Sequence, residues 1–175
     1  GDIASGTIMK LQQCGFPVLI LETAYPSAIR RNVAFSEAVY QSSQTIEGVT
    51  CYLASNADEA LENLKENKLT VCVDPDGELI KLFEPLVLID AILAKRNLGT
   101  TKSMAPITIA LGPGFSAGGD VDAVIETMRG HSLGRVIYEG YAIPNTGIPG
   151  PIAGIAKERV IHSPAAGILH NVCSI

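Results

Sequence analysis

Short apolar runs alternate along the chain with stripes of helical spacing. The runs occupy residues 17–21, 69–73, 86–89 and 106–111. Ala4, Ile8 and Leu11 share one helical face, and Gly15 predicts the end of that helix. Alternation of this kind predicts an α/β fold with a Rossmann-like, mostly parallel sheet and flanking helices.

The middle of the chain continues the same pattern. Residues 44–53 alternate loosely around Gly48, which predicts a strand or a hairpin, and Asn56 with Glu59 forms a capping box that opens a helix. Asp74 and Asp90 each follow an apolar strand. They are either polar groups at the edge where sites form or turn formers and helix caps.

The stretch 104–140 predicts a strand, a glycine loop at 112–119, a helix and a further strand at 135–138. The helix is inferred from apolar positions at helical spacing, with Gly130 as its stop. Those positions are Val121, Val124, Ile125 and Met128. A further helix, after the strand at 86–89, is expected to end at the basic pair 95–96.

The composition changes after Gly140. Residues 142–150 are rich in Pro and Gly and cannot be helical. Strands are expected at 158–161 and 168–172, and they resemble the start of a small barrel-sandwich or hammerhead. We therefore predict a Rossmann-like α/β domain at 1–140, followed by a truncated β-rich segment at 141–175.

Composition and charge narrow the class of protein. The chain has 175 residues, of which 47% are hydrophobic and 18% are charged, so a substantial core is expected. A net charge of -5 disfavours a nucleic-acid partner, and no apolar run is long enough for a membrane helix. The four cysteines are widely spaced, which favours buried, inert thiols in a reducing cytosol over catalysis or metal binding, and no metal site is predicted.

The first six residues, GDIASG, match the second half of a dinucleotide-binding fingerprint. Gly1 and Ala4 take the second and third fingerprint positions, and Gly6 completes the loop. Glu22 ends the following strand, where an acidic residue would hold ribose hydroxyl groups. The alternative is a tight turn that packs without binding a ligand.

Two groups of basic residues are candidates for contacting an anionic ligand. Arg30 and Arg31 follow Glu22, and Arg129, His131 and Arg135 follow the second glycine loop. The alternative in both cases is a solvated surface.

The second loop is rich enough in glycine to approach a ligand with its backbone, through Gly112, Gly114 and Gly118. Asp120 and Asp122 are expected in the first turn of the next helix, where they would repel a bare phosphate. The loop lacks the Lys-Ser/Thr pair of a P-loop, so a simple ATPase is disfavoured.

Blocks spread over nearly the whole chain resemble the accessory family of selenium-dependent molybdenum hydroxylase systems. They include GDIASG, AIRRNVAFSEAVY, LGPGF, ETMRGH, LGRVI and PNTGIPG. The resemblance implies a cytoplasmic protein that matures a selenium-containing molybdenum enzyme, with that hydroxylase or its maturation factors as partners. It also implies further residues before Gly1 and after Ile175.

Three functions remain open. The first is a maturation protein that binds a nucleotide or a molybdopterin dinucleotide through its glycine loops. The second is an NAD-dependent oxidoreductase-like enzyme, with NAD(P) as cofactor. The third is a non-catalytic scaffold for other maturation factors. A homo-oligomer is compatible with each, and no catalytic residue is assigned.

Overall fold

The structure is a computed structural model that describes residues 1–167. The chain forms two units, the first spanning Gly1–Ile143 and the second beginning at Pro144. The boundary predicted between residues 140 and 141 lies just before this division. The strand expected at 168–172 lies outside the described residues.

The first sheet and its helices are built from the amino-terminal half of the chain. Its strands are β1 (Leu19–Glu22), β2 (Ser43–Ile46), β3 (Val49–Ala54) and β4 (Leu69–Val73). Its helices are α1 (Asp2–Gln13), α2 (Ala38–Gln41), α3 (Ala57–Lys65) and α4 (Glu78–Phe83). The strand order is β1-β4-β3-β2, and only the β2–β3 hairpin is antiparallel.

Both faces of the first sheet are covered. On one face, Phe35, Leu69 and Val71 are fully buried with apolar residues of α1 packed against them. On the other face, Ala60 of α3 and Phe83 of α4 pack with the sheet. Buried parallel strands require this double cover, since their side chains are apolar on both sides.

The second sheet has the order β5-β6-β7-β8. Its strands are β5 (Val87–Asp90), β6 (Ile107–Leu111), β7 (Ala123–Ile125) and β8 (Val136–Ile137). The first three run parallel, and β8 is antiparallel to β7. The mixed α/β class with mostly parallel strands is confirmed, but the strands form two sheets rather than one.

The helix predicted from Val121 to Met128 is wrong, because this segment contains β7. Asp122 is bonded to Thr108 of β6 through both its backbone N–H and its carboxylate. Val121 and Val124 enter the core of the second sheet. Pairing with β6 therefore outweighs the helical spacing of the apolar residues.

Two further predictions fail for local reasons. No helix ends at Lys95, whose φ of 64° is left-handed, as is that of Leu93 at 60°. The strand expected at 158–161 is instead a 3-10 turn, Lys157–Arg159, in which Arg159 Nη1 donates to the oxygen of Gly150 at 2.7 Å.

Several local predictions are confirmed. Asn56 Oδ1 accepts from the Glu59 N–H at 2.9 Å and Glu59 Oε2 accepts from the Ser55 N–H at 2.7 Å, which is the predicted capping box. Asp74 caps α4 by accepting from the N–H groups of Glu78 and Leu79.

The cysteines differ in their exposure. Cys51 and Cys72 are buried, and burial raises the pKa of their thiols to about 12 and about 11. Both are buried thiols, as predicted, and a raised pKa disfavours the reactive thiolate form. Cys14 is exposed, contrary to the prediction, because it lies beyond the last turn of α1.

Candidate functional site

The amino end of α1 lies at the carboxyl edge of the first sheet, beside Glu22. The nitrogen of Gly1, which is the charged amino terminus of this chain, is 3.7 Å from Glu22 Oε2. The other carboxylate oxygen accepts from the Thr23 N–H at 2.9 Å, and the Glu22 carbonyl accepts from the Asp74 N–H at 3.0 Å. The structure thus brings together the glycine loop and the acidic strand end that the sequence singled out.

Ser5 fixes the position of this helix end. Its hydroxyl donates to the Gly1 carbonyl at 2.9 Å and accepts from the buried backbone N–H of Phe35, also at 2.9 Å. Ala4 is buried beside it. Gly6, by contrast, faces open space, because a Cβ built there meets no atom within 4 Å.

Arg30 reaches the same helix end through an ion pair with Asp2. Its guanidinium offsets the negative charge in the first turn of α1. Its side chain remains 62% exposed, so it retains donors that face solvent. The first turn of a helix also carries backbone N–H groups that favour an anion; in α1 one of them, that of Ile3, donates to Asp2 Oδ1 at 3.0 Å.

Arg31 is held within the protein. Its Nε and Nη2 donate to the two carboxylate oxygens of Glu37 at 2.8 and 2.7 Å, and its guanidinium lies 5.7 Å from the ring centre of Tyr40. The Glu37 hydrogen bonds, followed by its charge, raise the pKa of Arg31. Because Glu37 is buried, a ligand would have to compete with it for this arginine.

A cleft of about 370 Å³ runs along one side of α1. It is lined in part by Asp2, Gly6, Lys10, Arg30 and Glu47. Two predicted site residues, Gly6 and Arg30, therefore border one open space next to the helix end.

The second glycine loop packs against its own protein. A Cβ at Gly114 would lie 2.5 Å from the backbone nitrogen of Arg96, and one at Gly112 would lie 2.7 Å from Thr127 Oγ1. A Cβ at Gly118 would lie 3.3 Å from the carbonyl oxygen of Tyr138. These close approaches account for the glycines without a ligand.

Asp120 and Asp122, which follow the second glycine loop, have structural partners, and neither lies in a helix. Asp120 accepts from the Ser116 N–H at 2.9 Å, which closes the turn. Asp122 accepts from the Thr108 N–H and hydroxyl and from Lys102 Nζ. The Thr108 N–H, then Lys102 and the Thr108 hydroxyl, lower the pKa of Asp122. The expected repulsion at a helix start is therefore wrong.

Arg129, His131 and Arg135 belong to the hairpin that joins β7 to β8. The backbone groups of Glu126 and Arg135 pair at its base at 2.9 Å. The buried Glu126 carboxylate accepts from the N–H groups of Met128 at 2.7 Å and Ile143 at 2.8 Å, which anchors the hairpin. His131 and Arg135 line a cleft of about 320 Å³, and all three basic side chains are exposed.

Within residues 1–167, hydrogen bonds and ion pairs connect each glycine loop to its own sheet, and none joins the two loops. A single site built from both loops stays a prediction.

Three residues at strand ends of the second sheet were not predicted as site residues: Glu126, Lys95 and Arg96. Glu126 directly follows an apolar β-branched pair, the position that had singled out Asp74 and Asp90. Lys95 and Arg96 follow β5 at the carboxyl edge of the second sheet and are exposed. Their signal was the basic pair itself, which was interpreted as a helix end.

In the part of the chain that the structure describes, no three His, Cys, Asp or Glu side chains are close enough together to hold a metal ion. None of the helices described there has the length and apolar character needed to cross a membrane.

The chain is 53% identical over 171 residues to "Uncharacterized protein YqeB" of Escherichia coli (strain K12). The match covers 98% of this chain and 32% of that protein, so the chain spans about a third of the relative's length. No protein family model matches the chain. No solved structure matches it either.

Proposed function

We propose that the chain is part of an accessory protein for the maturation of a selenium-dependent molybdenum hydroxylase, and that it binds a nucleotide or a molybdopterin dinucleotide at the amino end of α1. The chain spans about a third of the length of the relative YqeB, so the maturation role is proposed for the whole protein and not for this chain alone.

One observation carries the binding proposal: the first turn of α1 and the Glu22 carboxylate at the end of β1 lie side by side, with the Gly1 nitrogen 3.7 Å from Glu22 Oε2. Dinucleotide sites on parallel sheets combine a helix amino end for phosphate with an acidic residue at the next strand end for ribose hydroxyls. The first sheet offers both groups at the edge where such ligands bind.

Each group has a defined chemical task. Backbone N–H groups of the first turn of α1 and the guanidinium of Arg30 would hold phosphate oxygens in place of the Asp2 carboxylate, which accepts from the Ile3 N–H and pairs with Arg30. The Glu22 carboxylate would accept hydrogen bonds from ribose hydroxyls, and it would repel a phosphate at the 2′ position. We therefore expect NAD to bind more tightly than NADP.

The maturation role is supported by the resemblance of sequence blocks at both glycine loops and at the hairpin of residues 126–135. A molybdopterin dinucleotide contains phosphates and a ribose, so the same groups suit it as suit NAD. A cytoplasmic site of action follows from the resemblance as part of the proposal.

Isothermal titration of the chain with NAD, NADP, ATP and isolated molybdopterin dinucleotide tests the binding. Glu22→Gln should weaken the binding free energy of the preferred ligand by about 1.5–3 kcal/mol, the contribution of a hydrogen bond to a charged group. It should also narrow the preference for NAD over NADP. Glu62→Gln, an exposed change on α3, should have no effect and serves as the matched control.

The result also separates the other functions. Binding of NAD alone, with hydride transfer detected from the absorbance of reduced nicotinamide, would favour an NAD-dependent oxidoreductase-like enzyme. Absence of heat and of a thermal shift with all four ligands would contradict both ligand-binding hypotheses and favour a scaffold.

A further inference from the structure

One face of the second sheet is entirely apolar. The strand register places eight aliphatic side chains on this face. They are Val87, Ile89, Ile107, Ile109, Leu111, Ala123, Ile125 and Val136, here called the aliphatic face. Val87, Ile107 and Val136 are 38%, 43% and 46% exposed, Ile89, Ile109 and Ile125 are half-buried, and Leu111 and Ala123 are buried.

The opposite face of the same sheet is filled by the protein itself. Phe115, Ala117, Val121 and Ala142 pack there against Val124 and other sheet residues. The connections between the parallel strands, 91–106 and 112–122, contain no α-helix, in contrast to the helical connections of the first sheet. Loops therefore cover one face of the second sheet, whereas the aliphatic face is fully buried only at Leu111 and Ala123, on the two central strands.

Parallel strands occur almost only in sheets that are covered on both faces, because their side chains are apolar on both sides. The aliphatic face carries no charged residue at any paired position. A contiguous apolar surface of this kind marks a docking surface.

We propose that the aliphatic face is covered by an apolar surface from a further segment of the same polypeptide, outside these 175 residues. The match to YqeB covers 98% of this chain but only 32% of that protein, so about two thirds of the relative supplies additional sequence. A tethered segment docks at a high effective concentration without needing a strong interface of its own. The covering segment should present aliphatic side chains, because the aliphatic face has no charged or hydrogen-bonding side chain with which a polar segment could pair.

Thiol protection in a chimera tests this proposal. The chain replaces its matched region in full-length E. coli YqeB, and cysteine is placed singly on the aliphatic face as Ile107→Cys or Val136→Cys. Alkylation of each cysteine is followed by peptide mass spectrometry in the chimera and in the isolated chain. Leu82→Cys, on the exposed side of α4, is the control.

Both cysteines on the aliphatic face should react at least tenfold more slowly in the chimera than in the isolated chain, whereas Leu82→Cys should react equally in both. Equal rates for the face cysteines in the two proteins would overturn the proposal. Protection in the isolated chain that grows with its concentration would instead identify a second copy as the occupant, which also overturns it. Two variants on different strands guard against misfolding of either one.

Discussion

The two glycine loops differ in what surrounds their glycines. At the first loop, Gly6 lies in α1 with open space in place of a side chain. At the second loop, Gly114 meets the backbone of Arg96, and Gly112 meets Thr127 and Leu93. Glycine richness alone therefore does not distinguish a ligand loop from a packing loop; the neighbouring atoms do.

The largest expected effect is at Gly114. Gly114→Ala places a Cβ 2.5 Å from the Arg96 nitrogen at a φ of 115°, so the backbone of one segment must move. We expect a loss of at least about 2 kcal/mol in the free energy of unfolding, measured by urea denaturation.

Gly134→Ala is the matched control, because its φ of 79° is also left-handed but its Cβ position is open. Gly134→Ala should lower the free energy of unfolding only by the cost of a left-handed backbone conformation, about 1 kcal/mol. Equal losses for the two variants would show that the close approach at Gly114 contributes nothing.

Protonation of Asp122 at acidic pH should lower the free energy of unfolding, because its carboxylate holds the segment after the second glycine loop to β6. Its folded pKa lies below the ordinary value of 3.8, so its stabilisation is present above that value and is lost as the pH falls through the folded pKa. Asp122→Asn should lower stability near neutral pH and flatten the fall in stability on acidification.

Urea unfolding over a series of pH values measures this effect. Asp76→Asn, at an exposed aspartate in the turn before α4, should leave the acid slope unchanged. An acid slope that Asp122→Asn leaves as steep as in the parent would contradict the role assigned to the Asp122–Thr108 hydrogen bonds.

The smallest expected effect has the opposite sign. Gly6→Ala should raise the free energy of unfolding by about 0.5–1 kcal/mol, because alanine favours the helix interior and no atom obstructs its Cβ. Thermal unfolding measures the gain. A loss of stability would mean that Gly6 resembles Gly114 and would remove the contrast between the loops.

Sequence patterns predicted the first half of the molecule well, because its signals are local. The stripe in α1, the apolar run of β4 and the capping box at Asn56 each depend on residues close together in the chain. Glu22 could be singled out because the spacing from glycine loop to strand end is itself a sequence feature.

The second half depends on contacts that no local pattern encodes. Val121, Val124, Ile125 and Met128 have helical spacing, yet Val124 and Ile125 point to opposite faces of a strand once Asp122 pairs with Thr108. The division into two sheets follows from strand pairing, which hydrophobic periodicity does not specify. The close fit of Gly114 to Arg96 is likewise visible only in three dimensions.

The Ser5 hydroxyl couples two parts of the chain that are distant in sequence. It donates to the Gly1 carbonyl and accepts from the Phe35 N–H, so the first turn of α1 and the 3-10 turn Phe35–Glu37 share one hydrogen-bonded link. Coupling of this kind is reciprocal. A ligand that orders the amino end of α1 should slow hydrogen exchange at the Phe35 amide, which makes that amide a reporter of occupancy remote from the ligand.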